Sequence, residues 1–284
     1  MANKVIVLSL PRCGSSVMTS LISSAGYDVY TSTGLLGPSS FNKDGYFEDI
    51  KITLLNDQLI RMVYGSDYSF IHTPSLNEFK SKTNQLLTQT DFEFDLDDIY
   101  FPPNFENQLN DYIGCDWDVW GLTRMLPGGK WHNAYSKYKV KNYNQIIQSI
   151  TEIEDYINNS KENIVLKDPR LALVLPFYKF NDCKFIFIKR GKDNTLKSMR
   201  KHYGKNLFTL NYLPGTEYCS NHFNYKVKYQ DFDYYYETYS SIIETNIKDK
   251  ESITINYEDL SKENTINLLN NFIQGEININ LLKI

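Results

Sequence analysis

Apolar residues along the chain fall into runs with two different rhythms. The first, Lys4 to Leu10 (KVIVLSL), is β-branched and aliphatic almost without interruption and runs out at Pro11 and Gly14. A run with no polar alternation predicts a strand covered on both faces, as in a parallel sheet. From Ser15 onward Val17, Met18, Leu21, Ile22 and Ala25 recur at helical spacing, and Gly26 stands where a helix C-terminus would be capped. The opening is therefore strand, loop, helix. A second helix is expected from about Gly45 to Tyr64, with Ile50, Leu54, Leu55, Leu59, Met62 and Val63 on its apolar side and Gly65 ending it. Between 66 and 141 the periodicity fades; Pro74, the Pro102-Pro103 pair, Gly128-Gly129 and the tryptophans 117, 120 and 131 fall there, which reads as an irregular insertion or lid.

Regularity returns with Tyr143, Ile146, Ile147, Ile150, Ile153 and Ile157, a helical stripe. Two short strand-like runs follow, Ile164 to Leu166 and Lys184 to Ile188, the second turning into another helix that Asp193 or Asn194 is placed to cap. Phe232, Tyr235, Tyr236 and Tyr239 mark an aromatic helix face in the run YQDFDYYYETY. A last strand, Ile253 to Asn256, precedes a helix of roughly Glu258 to Ile273, and Tyr257 between them reads as sheet-edge packing. Strands alternating with helices predict a doubly wound α/β fold with a parallel sheet.

At 284 residues the chain suits one α/β domain carrying the 66–141 insertion. Its 42% hydrophobic and 23% charged residues describe an ordinary globular protein, with 22 Tyr and 16 Phe supplying much of the core. The net charge of -4 argues against a nucleic-acid partner, which calls for a cationic excess. Cys13, Cys115, Cys183 and Cys219 lack C-x-x-C spacing and paired histidines, so neither a metal site nor a disulfide framework is expected, and a reducing cytoplasm fits. The apolar run Val5 to Leu10 is too short for a signal core or a bilayer span, so no membrane association is expected.

In an open parallel sheet, ligands sit beyond the carboxyl ends of the strands. Two such loops here are polar and basic. Pro11 to Ser16 offers consecutive backbone N–H groups, hydroxyls, a helix dipole and the Arg12 guanidinium, all suited to an anion. Lys189 to Ser198 puts Arg190 at a strand terminus. In a nucleoside-triphosphate phosphate loop, G-x-x-x-x-G-K-[ST], a lysine neutralises the terminal phosphates; here Ser15 takes its place, which makes ATP hydrolysis a poor reading.

Taken together, these residues resemble the PAPS-dependent sulfotransferases, which use 3'-phosphoadenosine 5'-phosphosulfate as sulfuryl donor. PRCGSS is similar to their 5'-phosphosulfate loop, and Arg190 with Ser198 to their 3'-phosphate motif. NKDGYFED (Asn42 to Asp49), VLKDPRLALVLP (Val165 to Pro176) and NYEDL (Asn256 to Leu260) resemble further segments of the bacterial-type branch, in the family's order. Cys13 departs from the pattern, where serine is usual.

The resemblance implies a sheet of P-loop NTPase-like type and transfer of a sulfuryl group to a hydroxyl of a carbohydrate or small-molecule acceptor. Arg12, Cys13, Gly14, Ser15 and Ser16 would hold the 5'-phosphosulfate, Arg190 and Ser198 the 3'-phosphate, and Lys167 the bridging or sulfuryl oxygens, with no metal required. The sulfuryl group carries less charge than a phosphoryl group, so fixed donors suffice for its in-line transition state. The insertion would form the acceptor side. For the base, Pro169 falls where cytosolic members carry histidine, which leaves Glu48 as the first candidate, Asp168 as the second and His132 as a third. Trp117, Trp120 and Trp131 serve either an acceptor's apolar face or the insertion's own core. Two other readings stay open: a nucleotide or small-molecule kinase with a degenerate loop, and a non-catalytic anion-binding module.

Overall fold

Strand β1 (Lys4–Ser9) is buried along its whole length and is flanked on both sides by parallel partners. In the computed structural model, which describes residues 2–32, 34–36, 46–64, 73–88, 143–203 and 231–281, the sheet holds five parallel strands in the order β2-β3-β1-β4-β5. Beside β1 run β3 (Ile164–Lys167) and β4 (Cys183–Lys189), and outside them β2 (Asp28–Val29) and β5 (Ser252–Asn256). Register pairs Val7 with Lys167 on one side and with Ile186 on the other. The chain therefore leaves β3, β1 and β4 at one edge, side by side.

Alternate β1 residues face different layers, as the pleat demands. Val5 and Val7 pack with α1 (Ser15–Ser24) and a C-terminal helix, Glu263–Ile273, through Met18, Leu21, Ile22, Leu269 and Ile273. Ile6 and Leu8 face the larger core, shared by helices α2 (Ile50–Tyr64), α3 (Leu76–Thr88), α4 (Tyr143–Asn159), the short α5 (Leu171–Val174), α6 (Lys192–Tyr203) and α7 (Phe232–Ile247). Glu263–Ile273 is α8. Helices thus cover both faces of an all-parallel sheet, and a continuously apolar β1 is the sequence such burial needs.

Several boundaries differ from the sequence expectation. Helix α2 begins at Ile50, not near Gly45, because Asp49 caps it: Oδ1 accepts the Ile52 N–H at 2.9 Å. Glu48 accordingly lies in the segment before the helix and not on it; its carbonyl accepts the Leu36 N–H at 2.8 Å. The stretch after 66 is not irregular throughout, since α3 forms behind a Ser75 cap whose Oγ accepts the Glu78 N–H at 3.1 Å. Phe79 of α3 stacks on Tyr64 of α2, ring centroids 6.3 Å apart. Residues 89–142, with His132 and the three tryptophans, lie outside the described residues. The last helix starts at Glu263, after a single tight turn at Tyr257–Asp259. Asp231 caps the aromatic helix α7, accepting from the Asp233 and Tyr234 N–H groups.

Candidate anion site and buried charge cluster

The loop after β1 turns sharply. Cys13 N–H donates to the Leu10 carbonyl, Arg12 has φ 67° and Gly14 has φ 97°, both in the left-handed region. Glycine is needed at 14 for this backbone and for space: a Cβ there would stand 2.1 Å from Tyr257 Cδ2. Gly14 is also the N-cap of α1, and no side chain caps that end. The first N–H groups of the helix, from Ser15 onward, therefore start without intrahelical partners, which is the electrostatic setting of an anion site. Ser15 is buried and Ser16 half-buried. Cys13 faces inward: it is fully buried, its Sγ lies 3.4 Å from Thr195 Oγ1, and burial pushes its thiol up to about 11, against the lowering pull of Thr195 and Arg190.

At the end of β4, Arg190 leans over the same loop. Its guanidinium carbon lies 4.7 Å from the Tyr257 ring centroid, and Nη1 donates to the Arg12 carbonyl at 3.3 Å. The Nε atoms of Arg12 and Arg190 are buried with no partner among the described residues. Ser198 sits half-buried in the second turn of α6. Helix α6 begins at Lys192, so Asp193 and Asn194 lie inside its first turn and not before it, and Glu258 accepts the Gly191 N–H at 3.1 Å and Asn194 Nδ2 at 3.0 Å. Burial would raise the Glu258 carboxyl, but the hydrogen bonds from Asn194 and Gly191 and the nearby Arg190 charge leave it below its ordinary value.

On the other side of β1, Lys167 ends β3 and the loop after it carries Asp168 and Arg170, all three nearly inaccessible to solvent together with Glu48. Lys167 Nζ pairs with Glu48 Oε1, donates to the Tyr46 carbonyl at 2.9 Å and reaches Ser16 Oγ at 3.4 Å. Arg170 Nη1 bridges Glu48 Oε2 at 3.3 Å and Asp168 Oδ1 at 3.1 Å. Two carboxylates face two cations, the balance that buried charge requires; removing one partner of such a cluster costs about 3–5 kcal/mol. Asp168 is held further by the Arg170 N–H on Oδ1 and by Asn56 Nδ2 on Oδ2 at 2.9 Å. Asn56 in turn accepts the Tyr178 hydroxyl at 2.6 Å. Burial, with the charge of Asp168 second, pushes the Tyr178 hydroxyl well above the usual range, so it stays a donor.

The structure thus brings together Ser16, Glu48, Lys167, Asp168 and Arg170 in one contact chain, and Arg12, Gly14 and Arg190 in a second group on the same loop. Asn56 and Tyr178 belong to these groups without having been singled out by sequence, and Tyr257 reads from sequence only as sheet-edge packing. Nothing local marks which hydroxyl or ring reaches a neighbouring strand's loop. Among the described residues no cluster of His, Cys, Asp or Glu could hold a metal ion, and no helix is long and apolar enough to cross a membrane. Compared with protein-family models, curated proteins and solved structures, the chain gives no significant match.

Proposed function

We propose that the chain is a sulfotransferase of P-loop-like type that moves a sulfuryl group from 3'-phosphoadenosine 5'-phosphosulfate to a hydroxyl of a carbohydrate or small-molecule acceptor. The observation that carries this reading is Lys167 Nζ, which is within reach of both loop residue Ser16 and the buried carboxylate Glu48. A cation between an anion loop and a carboxylate suits a transfer in which charge grows on the leaving oxygen while the acceptor loses a proton. The strand order supports it too, because the loop leaving central β1 lies at the point where the order reverses.

In this reading the N–H groups at the start of α1, with Arg12, Ser15 and Ser16, hold the 5'-phosphosulfate, and Arg190 with Ser198 holds the 3'-phosphate. Cys13 contributes shape, since its thiol faces Thr195 and its N–H is spent on Leu10. Glu48 accepts the acceptor proton as the acceptor oxygen attacks sulfur. The bond from sulfur to the 5'-phosphate oxygen breaks, Lys167 steadies the charge left there, and adenosine 3',5'-bisphosphate departs. Arg170 contacts both carboxylates, but Glu48 is preferred to Asp168 as the base because its other oxygen pairs with Lys167, the cation that reaches Ser16 of the loop, whereas the other Asp168 oxygen takes Asn56. Arg12 and Arg190, each with a buried Nε–H that has no partner among the described residues, fit a donor with two separated anionic groups.

Glu48→Gln tests the base. Turnover should fall at least 100-fold with donor affinity within a few-fold of the parent, a general-base loss. Undiminished turnover would move the role to Asp168 or His132.

A further inference from the structure

Tyr257 follows β5, two strands from the loop after β1, yet its ring lies against Gly14 closely enough that no Cβ fits between them. The Arg190 guanidinium rests on the same ring at 4.7 Å, and its Nη1 reaches back to the Arg12 carbonyl. Ring, guanidinium and loop therefore form a closed set in which each part touches the other two. Glu258, the next residue, is fastened to the start of α6 through the Gly191 N–H and Asn194, so the backbone that carries the ring is pinned as well. Arg190 is fixed from behind too: its carbonyl accepts the Tyr236 hydroxyl at 2.7 Å.

We infer that Tyr257 is a positioning residue for the anion site, holding Arg190 by its face and the loop by its glycine. This rests on the donor-site reading above only for the identity of the anion. The chemistry is specific to an aromatic ring. An arginine held by its flat face keeps its edge N–H groups in the plane where an oxyanion binds, whereas a carboxylate partner would occupy that edge. Arg190 also enters binding with its rotamers already restricted, so less freedom is lost when the anion arrives. Packing on Gly14 transmits the ring's position to the N–H groups that begin α1.

Calorimetry with two probes separates this inference from the function proposed above. Adenosine 3',5'-bisphosphate and inorganic pyrophosphate are titrated into the full chain, its Tyr257→Phe variant and its Tyr257→Leu variant. Tyr257→Phe should bind within about two-fold of the parent, because the ring face remains. Tyr257→Leu should lose roughly 3- to 30-fold for any probe that the parent binds, the range of a cation–π contact. Should Tyr257→Leu fail to fold, Tyr257→Met, which keeps bulk over Gly14 without an aromatic face, takes its place with the same expectation. Parent-like affinity in the leucine or methionine variant overturns the inference, as does an equal loss in Tyr257→Phe. A parent that binds pyrophosphate but not the bisphosphate sinks the sulfotransferase reading and leaves Tyr257 to be judged on pyrophosphate; a parent that binds neither overturns both.

Discussion

Lys167 and Glu48 differ from ordinary surface charges because neither is left to water. Their pairing is legible in sequence only through the two segments that carry them, KDPR and GYFED; that Arg170 would join them from the opposite oxygen is not, since it depends on how the chain turns after β3. The same limit applies to Cys13. Its place in the loop suggests a ligand contact, but the Cys13 side chain lies under the loop against Thr195, with its thiol pushed up to about 11 by burial. The thiol is therefore neutral at pH 8, and reactivity needs the thiolate. Iodoacetamide applied to the native protein at that pH, with peptides mapped by mass spectrometry, should leave Cys13 unmodified until denaturant is added. Rapid labelling in the native state would show the loop to be open.

Element by element, long apolar runs decide what is readable. β1 and α4 were evident because burial on two faces, or on one stripe over 17 residues, leaves a long periodic trace. β2 has two residues and leaves none. α3 had a signal that the fading apolar periodicity hid, the Ser75-x-x-Glu78 spacing of a helix start. The first turn of α2 matters most for chemistry, because its cap adjoins Glu48. Asp49 accepts from the Ile52 N–H, the Ser32 N–H and the Ser32 hydroxyl while almost fully buried. Asp49→Ala should cost at least about 1–2 kcal/mol of unfolding free energy in urea, from the lost cap and the unpaired donors. It should also lower turnover, since the backbone on which Glu48 sits loses its anchor. Unchanged stability and turnover would show that Glu48 is placed by Lys167 and Arg170 alone.

For the whole molecule, the order β2-β3-β1-β4-β5 sets the arrangement. It lays the loops of β3, β1 and β4 next to one another, so Lys167, the Gly14 loop and Arg190 meet although 176 residues separate Gly14 from Arg190 in sequence. Alternating strands and helices announced a parallel sheet, but only the strand order shows which loops become neighbours. Charge follows the same plan: a chain with net charge -4 gathers Arg12, Lys167 and Arg190 around one loop. A local cationic site in an acidic protein favours a small anionic ligand over a polyanion. The most direct test is calorimetry of adenosine 3',5'-bisphosphate in magnesium-free buffer, against the parent and Arg190→Ala, with magnesium-ATP as the comparison. One saturable site for the bisphosphate is expected, at least ten-fold weaker in Arg190→Ala, with no comparable binding of magnesium-ATP. No saturable bisphosphate site, an affinity indifferent to Arg190, or tighter binding of magnesium-ATP would contradict the proposed sulfuryl donor.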